Sequence, residues 1–160
     1  MRFIGQKRKQ YYTEFISRFL PKEIKTYVEP FAGSFAVATY LFEDRITEPI
    51  KYIYNDINDY KLDIKADKVH HLDYKEIFKM YDSEDTVFYL DPPYYKKEHL
   101  YENSENFDHE QLRDEIKKLK GKVILSYEDR PYIRRLYKDF NIHLYGGDRM
   151  NFRYELIITK

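Results

Sequence analysis

The sharpest chemical feature of the sequence is Asp91-Pro92-Pro93-Tyr94, which directly follows residues 86–90, a predicted buried strand. The prolines fix the backbone as it leaves the sheet and remove two backbone donors. The Asp91 carboxylate and the Pro92 carbonyl then remain as acceptors. Two acceptors can hold both hydrogens of a planar amine and turn its lone pair toward an electrophile, while Tyr94 offers a ring for stacking. A helix-capping aspartate in a rigid loop is the alternative.

An earlier loop, Glu29-Pro30-Phe31-Ala32-Gly33, lies between a predicted strand and a predicted helix. A glycine at such a turn lets the backbone approach a ligand and places N–H groups at a helix N-terminus. The later glycines of a dinucleotide-binding fingerprint are missing from the sequence, which argues against NAD. A simple turn would explain the glycine equally well.

Carboxylates follow the next two predicted strands. Asp56 comes roughly 20 residues after the glycine loop, the spacing of an acid that binds ribose hydroxyls. Asp73-Tyr74 follows the third strand, and either aspartate could instead only cap the next helix. Because the carboxyl ends of parallel strands share one edge of a sheet, we expect all these loops to face a common ligand site.

The elements that position these loops alternate along the chain, which predicts βαβ units and a mainly parallel sheet. Helices are predicted at residues 34–42, 58–64, 75–81, 108–119 and 131–138, and strands at residues 27–29, 52–54, 68–72, 86–90, 122–126, 140–145 and 154–159.

Composition limits the class of protein. A length of 160 residues with 42% hydrophobic residues suits one domain with its own core. The absence of cysteine excludes a disulfide scaffold and a thiolate metal site, and no apolar run approaches the ~18 residues of a membrane span. The charges balance, with 28 Lys+Arg and 28 Asp+Glu, so nucleic acid would need a local basic face or a partner protein. We expect a cytoplasmic protein that uses neither metal nor membrane.

Taken in order, these motifs resemble the D12 class of DNA adenine-N6 methyltransferases over nearly the whole chain. The resemblance implies an α/β, Rossmann-like class I methyltransferase fold: a mainly parallel sheet, helices on both faces and an antiparallel C-terminal strand. The motifs that carry it are Ile4-Gly5-Gln6-Lys7, Glu29 to Ser34, Tyr54 to Asn58, Asp73-Tyr74, Asp91 to Tyr94, Phe107 to Tyr127 and Glu155 to Thr159.

The resemblance also implies roles for individual residues. Asp91, Pro92, Pro93 and Tyr94 would be catalytic, with a flipped adenine stacked on Tyr94 and its N6 amine held by Asp91 and the Pro92 carbonyl. The cofactor would be S-adenosylmethionine, and no metal would be needed. The residues implied to bind the cofactor are Lys7, Glu29, Pro30, Phe31, Ala32, Gly33, Asp56, Asp73 and Tyr74.

Two departures from the family pattern are visible. Phe35 stands where the family loop usually has a second glycine, so its side chain could narrow the cofactor site or redirect the following helix. A target-recognition region usually separates the cofactor-adenine aspartate from the catalytic motif, whereas here only residues 74–90 separate Asp73 from Asp91. We therefore expect one catalytic domain over residues 1–160 and no separate recognition domain.

Three outcomes follow for the substrate. The enzyme methylates adenine in DNA with little sequence preference, it acts on RNA or single-stranded DNA, or a second subunit supplies recognition. Residues 95–106 are a candidate lid ordered by substrate. Candidate nucleic-acid contacts are Tyr95, Lys96, Lys97, Tyr101, Arg149 and Arg153.

Other functions fit parts of the pattern. Similar motifs serve methylation of guanine N2 in ribosomal RNA and of glutamine amides. A non-catalytic subunit that keeps the fold for assembly is also conceivable: Phe35 argues for it, and the intact Asp91 argues against it. The setting expected from the lysine-, isoleucine-, tyrosine- and asparagine-rich composition is a bacterial cell or a phage-infected host.

Overall fold

The computed structural model describes residues 10–42, 50–146 and 154–160. No helix within these ranges is long and apolar enough to cross a membrane. The elements in chain order are α1 (Gln10–Ser17), β1 (Thr26–Glu29), α2 (Ala36–Phe42), β2 (Lys51–Asn55), β3 (Lys68–His70), α3 (Tyr74–Tyr81), β4 (Thr86–Leu90), a 3₁₀ turn (Glu98–Leu100), α4 (His109–Lys118), β5 (Lys122–Glu128), α5 (Pro131–Leu136), β6 (Asn141–Tyr145) and β7 (Glu155–Thr159).

The strands form one sheet in the order β3-β2-β1-β4-β5-β7-β6. The first five strands in that order are parallel. Strand β7 inserts antiparallel between β5 and β6. Because β1 and β4 are neighbours whose following connections leave in opposite directions, the loops after them meet at the switch point where such sheets bind ligands. The predicted mainly parallel sheet with an antiparallel C-terminal strand is confirmed.

Helices cover both faces of the sheet, as predicted. Successive strand side chains point to opposite faces, so on β4 Phe88 and Leu90 enter the core under α3, α4 and α5, whereas Val87 and Tyr89 enter the core under α1 and α2. All five residues of β4 are consequently buried. This double burial explains why the strand has an uninterrupted apolar sequence instead of an alternating one.

The prediction of a helix at residues 58–64 is wrong. The segment is irregular. Asp56, just before it, and Asp59, within it, each accept a hydrogen bond from the backbone two residues later: Asp56 Oδ1 from Asn58 N and Asp59 Oδ1 from Lys61 N, both at 3.0 Å. Lys61 has a φ of 54°, in the left-handed region. Local side-chain bonds of this kind compete with helix formation, and here they keep the chain in loops beside the ligand site.

The start of α4 follows the sequence prediction. Asp108 is the N-cap, and its side chain accepts from Gln111 N at 2.9 Å. The cap matters for the site because it fixes the point at which the loop after β4 rejoins the core.

Candidate functional site

A cavity of about 800 Å³ opens at the carboxyl edge of the parallel strands. Its volume lies within the usual range for small-molecule sites, roughly 300–1,000 Å³. The loops after β1, β2, β3 and β4 all contribute to its walls, as expected for a common ligand site. The predicted site residues on these walls are Glu29, Pro30, Phe31, Ala32, Gly33, Asp56, Asp73, Tyr74, Asp91, Pro93 and Tyr101.

The glycine loop is held by the residues that follow β2. Asp56 Oδ2 accepts from Gly33 N at 2.9 Å, and the Tyr54 hydroxyl donates to the Gly33 carbonyl at 2.9 Å. Gly33 has a φ of 51°, a conformation that glycine adopts without steric cost. Burial raises the pKa of Asp56. Each carboxylate oxygen accepts more than one hydrogen bond, so Asp56 can also receive ligand hydroxyls.

Asn55 joins three of the cavity loops. Its amide donates to the Pro30 carbonyl at 2.9 Å and to the Leu72 carbonyl at 3.0 Å, and its side-chain oxygen accepts from Leu72 N at 2.9 Å. The side chain is completely buried. Sequence reasoning placed Asn55 in the ribose motif without a role of its own, and the structure assigns it the positioning of the loops after β1, β2 and β3.

Phe35 departs from the family pattern without narrowing the cavity. Its backbone keeps the left-handed conformation that a glycine would adopt, with a φ of 57°, which costs a residue with a side chain roughly 1–2 kcal/mol. Phe35 is 4% exposed and belongs to the core under α1 and α2. Its ring packs edge-on against the Tyr54 ring, with the two centroids 5.6 Å apart. The cavity walls do not include it. The strain is therefore offset by core packing.

Three aromatic rings form an apolar wall of the cavity. The ring centroid of Phe31 lies 5.3 Å from that of Tyr74 and 5.7 Å from that of Phe107, and the centroids of Tyr74 and Phe107 are 6.0 Å apart. The Tyr74 hydroxyl is buried and has no hydrogen-bond partner among the described residues. A planar heterocycle with a polar edge, such as the adenine of S-adenosylmethionine, fits this wall. Phe107 was not predicted as a site residue, because an isolated aromatic carries no sequence signal.

Glu29 places a buried carboxyl on the cavity wall. It is 2% exposed, and its Oε1 accepts from the Tyr27 hydroxyl at 2.8 Å and from Ala38 N at 2.9 Å. Burial raises the pKa of Glu29 to about 8; the two hydrogen bonds oppose the rise, and the nearby Asp91 charge adds to it. A cation in the cavity would favour the ionised form, which suits the positive sulfur of S-adenosylmethionine.

Asp91 lines the same cavity from the end of β4, beside a group of tyrosines. Burial is the main reason that the pKa values of Tyr12, Tyr89, Tyr94 and Tyr101 are all raised, and the Asp91 charge raises each of them further. The Tyr12 and Tyr89 hydroxyls are hydrogen-bonded at 2.7 Å. Asp91, the predicted catalytic aspartate, therefore lies close enough to several tyrosine hydroxyls to affect their ionisation.

Tyr94 and Pro92 are buried against the sheet. The Tyr94 ring is 9% exposed, its hydroxyl is 3.0 Å from Ser126 Oγ, and its centroid is 5.9 Å from that of Tyr127. Neither Tyr94 nor Pro92 is among the residues that line the cavity. Stacking of a flipped base on Tyr94 stays a prediction, and the structure shows the ring held firmly by β5.

The predicted nucleic-acid contacts differ in their surroundings. The Tyr95 ring stacks on Tyr132 with centroids 4.3 Å apart, and Lys96 Nζ lies 5.6 Å from the Tyr95 centroid. Lys97 Nζ forms an ion pair with Glu128 Oε2 at 2.5 Å, and both side chains are mostly buried. Lys96 is exposed. The Lys97 charge is already balanced within the protein, so Lys96 is the better placed of the two to meet a phosphate.

Several predictions concern residues outside the described ranges. The glycine–lysine motif with Lys7 lies there, as do Arg149 and Arg153. Within the described ranges, no group of three or more His, Cys, Asp or Glu residues could hold a metal ion.

The loop after the catalytic motif crosses the cavity and is attached to its opposite wall. Residues 100–108 all line the cavity. Asn103 Nδ2 donates to Asn58 Oδ1 at 2.6 Å, and Asn58 Nδ2 donates to the Glu102 carbonyl at 3.2 Å. Sequence reasoning suggested a lid in this region but did not identify the Asn58–Asn103 contact, because the two asparagines are far apart in sequence.

Solved structures similar to this chain include several methyltransferases. The ribosomal protein L11 methylase of Lactobacillus delbrueckii subsp. bulgaricus matches with a TM-score of 0.60 and 13% identity, over 97% of this chain and 79% of that one. A SAM-dependent methyltransferase of Aquifex aeolicus matches with a TM-score of 0.56 and 12% identity, over 91% of this chain and 87% of that one. A SAM-dependent O-methyltransferase of Thermotoga maritima matches with a TM-score of 0.57 and 13% identity, over 92% of this chain and 64% of that one. At these identities the likeness establishes the fold.

Sequence comparison defines the family. No curated protein matches the chain. The profile of the D12 class N6 adenine-specific DNA methyltransferases matches residues 3–64 and 58–150, two segments that share residues 58–64. Together they cover most of the chain and include the glycine loop, Asp56 and Asp73, and the Asp91-Pro92-Pro93-Tyr94 motif. The chain is an S-adenosylmethionine-dependent methyltransferase that belongs to the D12 class N6 adenine-specific DNA methyltransferase family.

Proposed function

We propose that this protein transfers a methyl group from S-adenosylmethionine to the N6 amine of adenine in DNA. The observation that carries the proposal is the position of Asp91 at the end of β4, which is a neighbour of β1 in the sheet. Asp91 lines the same cavity as the glycine loop after β1 and its hydrogen-bond partner Asp56. A donor bound by that loop and an amine held at Asp91 would share one enclosed space, as a direct transfer requires.

The cofactor side of the cavity suits S-adenosylmethionine. Asp56 would accept hydrogen bonds from ribose hydroxyls. The aromatic wall of Phe31, Tyr74 and Phe107 would receive the adenine, and Glu29 would face the positive charge. When bound, S-adenosylmethionine supplies an electrophilic methyl group on its sulfonium.

The target side suits an exocyclic amine. The Asp91 carboxylate and the Pro92 carbonyl each accept a hydrogen bond, so together they can hold both hydrogens of N6 and direct its lone pair toward the cofactor side. A base in a duplex must leave the stack to reach this position. Burial of the Pro92 ring and Tyr94 against the sheet keeps the acceptors in place during that movement.

We also propose that residues 1–160 act as one catalytic domain that reads little DNA sequence unaided. The interval from Asp73 to Asp91 consists of α3, a turn and β4, and both elements are part of the core. Sequence reading requires side chains in a groove, which this interval does not supply, so in our proposal a second subunit provides strong target preference.

Methyl transfer with a labelled cofactor tests the proposal. The purified chain would be offered duplex DNA, single-stranded DNA and RNA of the same sequence, followed by digestion and chromatography of the nucleosides. We expect N6-methyladenine from DNA with the wild type and none with Asp91→Ala. Label in guanine, label in RNA only, or equal label from Asp91→Ala would contradict the proposal.

A further inference from the structure

A buried hydroxyl network lies directly beneath the catalytic motif. Its centre is Ser126, in the middle of β5 and completely buried. Ser126 Oγ is 3.0 Å from the Tyr94 hydroxyl and donates to Glu155 Oε2 at 3.4 Å. Next to them, the Tyr12 and Tyr89 hydroxyls are hydrogen-bonded to each other at 2.7 Å. Side chains from β5, β7 and the catalytic loop thus meet at one serine.

The directions of these hydrogen bonds follow from the chemistry of the groups. An ionised carboxylate only accepts hydrogen bonds, so Glu155 takes the single proton of Ser126. Ser126 must then accept from Tyr94, whose hydroxyl is the donor. The Glu155 charge therefore sets the direction of a chain that runs from Tyr94 through Ser126 to β7.

The network clamps the catalytic turn at its far end. Asp91 is fixed at the near end because it directly follows β4, and the two prolines between the ends have restricted φ angles. Tyr94 is the far end, and its hydroxyl is attached to Ser126. A turn fixed at both ends with a stiff interior holds its two acceptors, the Asp91 carboxylate and the Pro92 carbonyl, in one arrangement.

We propose that Ser126 and Glu155 are positioning residues for methyl transfer: Ser126 holds the Tyr94 hydroxyl, and Glu155 orients Ser126. The inference rests on the proposed function, since it concerns the geometry in which the amine is presented. Small displacements of reacting groups lower rates strongly, by about 100-fold for 1 Å. The loss of one buried hydrogen bond should therefore be measurable in the transfer step.

A double-mutant cycle on Ser126→Ala and Tyr94→Phe tests the first contact. Single-turnover rates would be measured with saturating cofactor and DNA, and cofactor affinity by calorimetry. We expect each single variant to be about tenfold slower with unchanged cofactor affinity. The double variant should be no slower than Ser126→Ala, because Phe at position 94 has no hydroxyl left to satisfy.

Glu155→Gln tests the second contact, with Glu115→Gln as its matched control. Both changes remove one negative charge at constant shape, but Glu115 lies on α4, where it pairs with Lys118. We expect a several-fold lower single-turnover rate for Glu155→Gln and the wild-type rate for Glu115→Gln. Equal rates for the two variants, or additive losses in the Ser126–Tyr94 cycle, would overturn the inference.

Equilibrium unfolding of the same variants separates this inference from the proposed function. If Ser126 and Tyr94 are coupled, the double variant departs from additivity by about fivefold in its unfolding equilibrium constant, whether or not the chain methylates DNA. Coupling without any transfer by the wild type would count against the proposed function and support the clamp. Absence of coupling in an active wild type would overturn the clamp alone.

Discussion

The cofactor side and the target side of the cavity are held in shape by different chemical groups. On the cofactor side, side-chain acceptors bind backbone donors of neighbouring loops, as Asp56 does with Gly33 and Asn55 does with Leu72. On the target side, hydroxyls bind one another, as Tyr94 does with Ser126. Backbone donors stay in place when most side chains change, whereas a chain of hydroxyls depends on every member. The two sides should therefore respond separately to substitution.

Asp91→Ala should give the largest effect and confine it to the target side. Loss of the amine acceptor should lower methyl transfer by about 10³-fold or more, while cofactor affinity stays within about twofold, because Gly33 of the glycine loop is held by Asp56 and Tyr54, which the substitution leaves in place. Transfer assays and calorimetry on one protein preparation would check this. A parallel loss of cofactor binding would show that the two sides are not separate.

Glu29→Gln should alter how stability depends on pH. In the folded protein the pKa of Glu29 is raised to about 8, from an ordinary 4.5. Between those values the folded state holds a proton that the unfolded chain has lost, so the free energy of unfolding should fall by about 3 kcal/mol as pH rises from 5 to 8. Gln keeps the acceptor for Tyr27 and Ala38 but does not titrate.

Urea unfolding at pH 5.5 and pH 8 would measure the Glu29 effect. The two proteins should have similar stability at the lower pH, and the variant should be the more stable at the higher pH. Identical pH dependence in wild type and variant would contradict the raised pKa.

Asp56→Ala should affect the cofactor side alone. Removal of a carboxylate that holds Gly33 and would bind the ribose should weaken cofactor binding by about 30-fold, the cost of a charged hydrogen bond. Transfer at saturating cofactor should remain close to the wild-type rate, in contrast to Asp91→Ala. A transfer defect that persists at saturation would assign Asp56 a different role.

Lys96→Ala and Lys97→Ala should give the smallest effect and a direct contrast between neighbours. Loss of a phosphate contact lowers the slope of log affinity against log salt by about one. We expect that change for Lys96, which is exposed, and a smaller one for Lys97, whose charge is paired with Glu128. DNA titrations at several salt concentrations would measure both slopes. Equal slopes would mean that the ion pair opens on binding.

The residues predicted to bind the cofactor line the cavity more completely than those predicted to be catalytic, since Pro92 and Tyr94 are not on its walls. Gly33, Asp56 and Asp73 follow strand ends, and residue type and spacing reveal such positions because backbone geometry demands them. The mainly parallel sheet and its antiparallel C-terminal strand were also predicted, whereas the order of the strands was not. The helix at residues 58–64 was not a correct prediction, because polar spacing alone does not distinguish a helix from a series of aspartate turns.

The hydroxyl network could not have been predicted in the same way. Tyr12, Tyr89, Ser126 and Glu155 come from four different elements and share no motif. Tyrosine and serine in a strand suggest only burial or exposure, and which hydroxyls meet depends on the register of β5 with β7, where Ser126 faces Ile157. Long-range register is a property of the folded sheet that local patterns do not encode.

The Asn58–Asn103 hydrogen bond has a consequence for the order of events during turnover. It joins the segment after β2 to the loop after β4, so a bridge spans part of the cavity while the bond lasts. A cofactor bound beneath this bridge would exchange more readily once the loop swings aside, and under the proposed function the methylated base would occupy the other half of the same space. We therefore expect the methylated substrate to leave first and the cofactor product last, with product release and not chemistry limiting the steady-state rate.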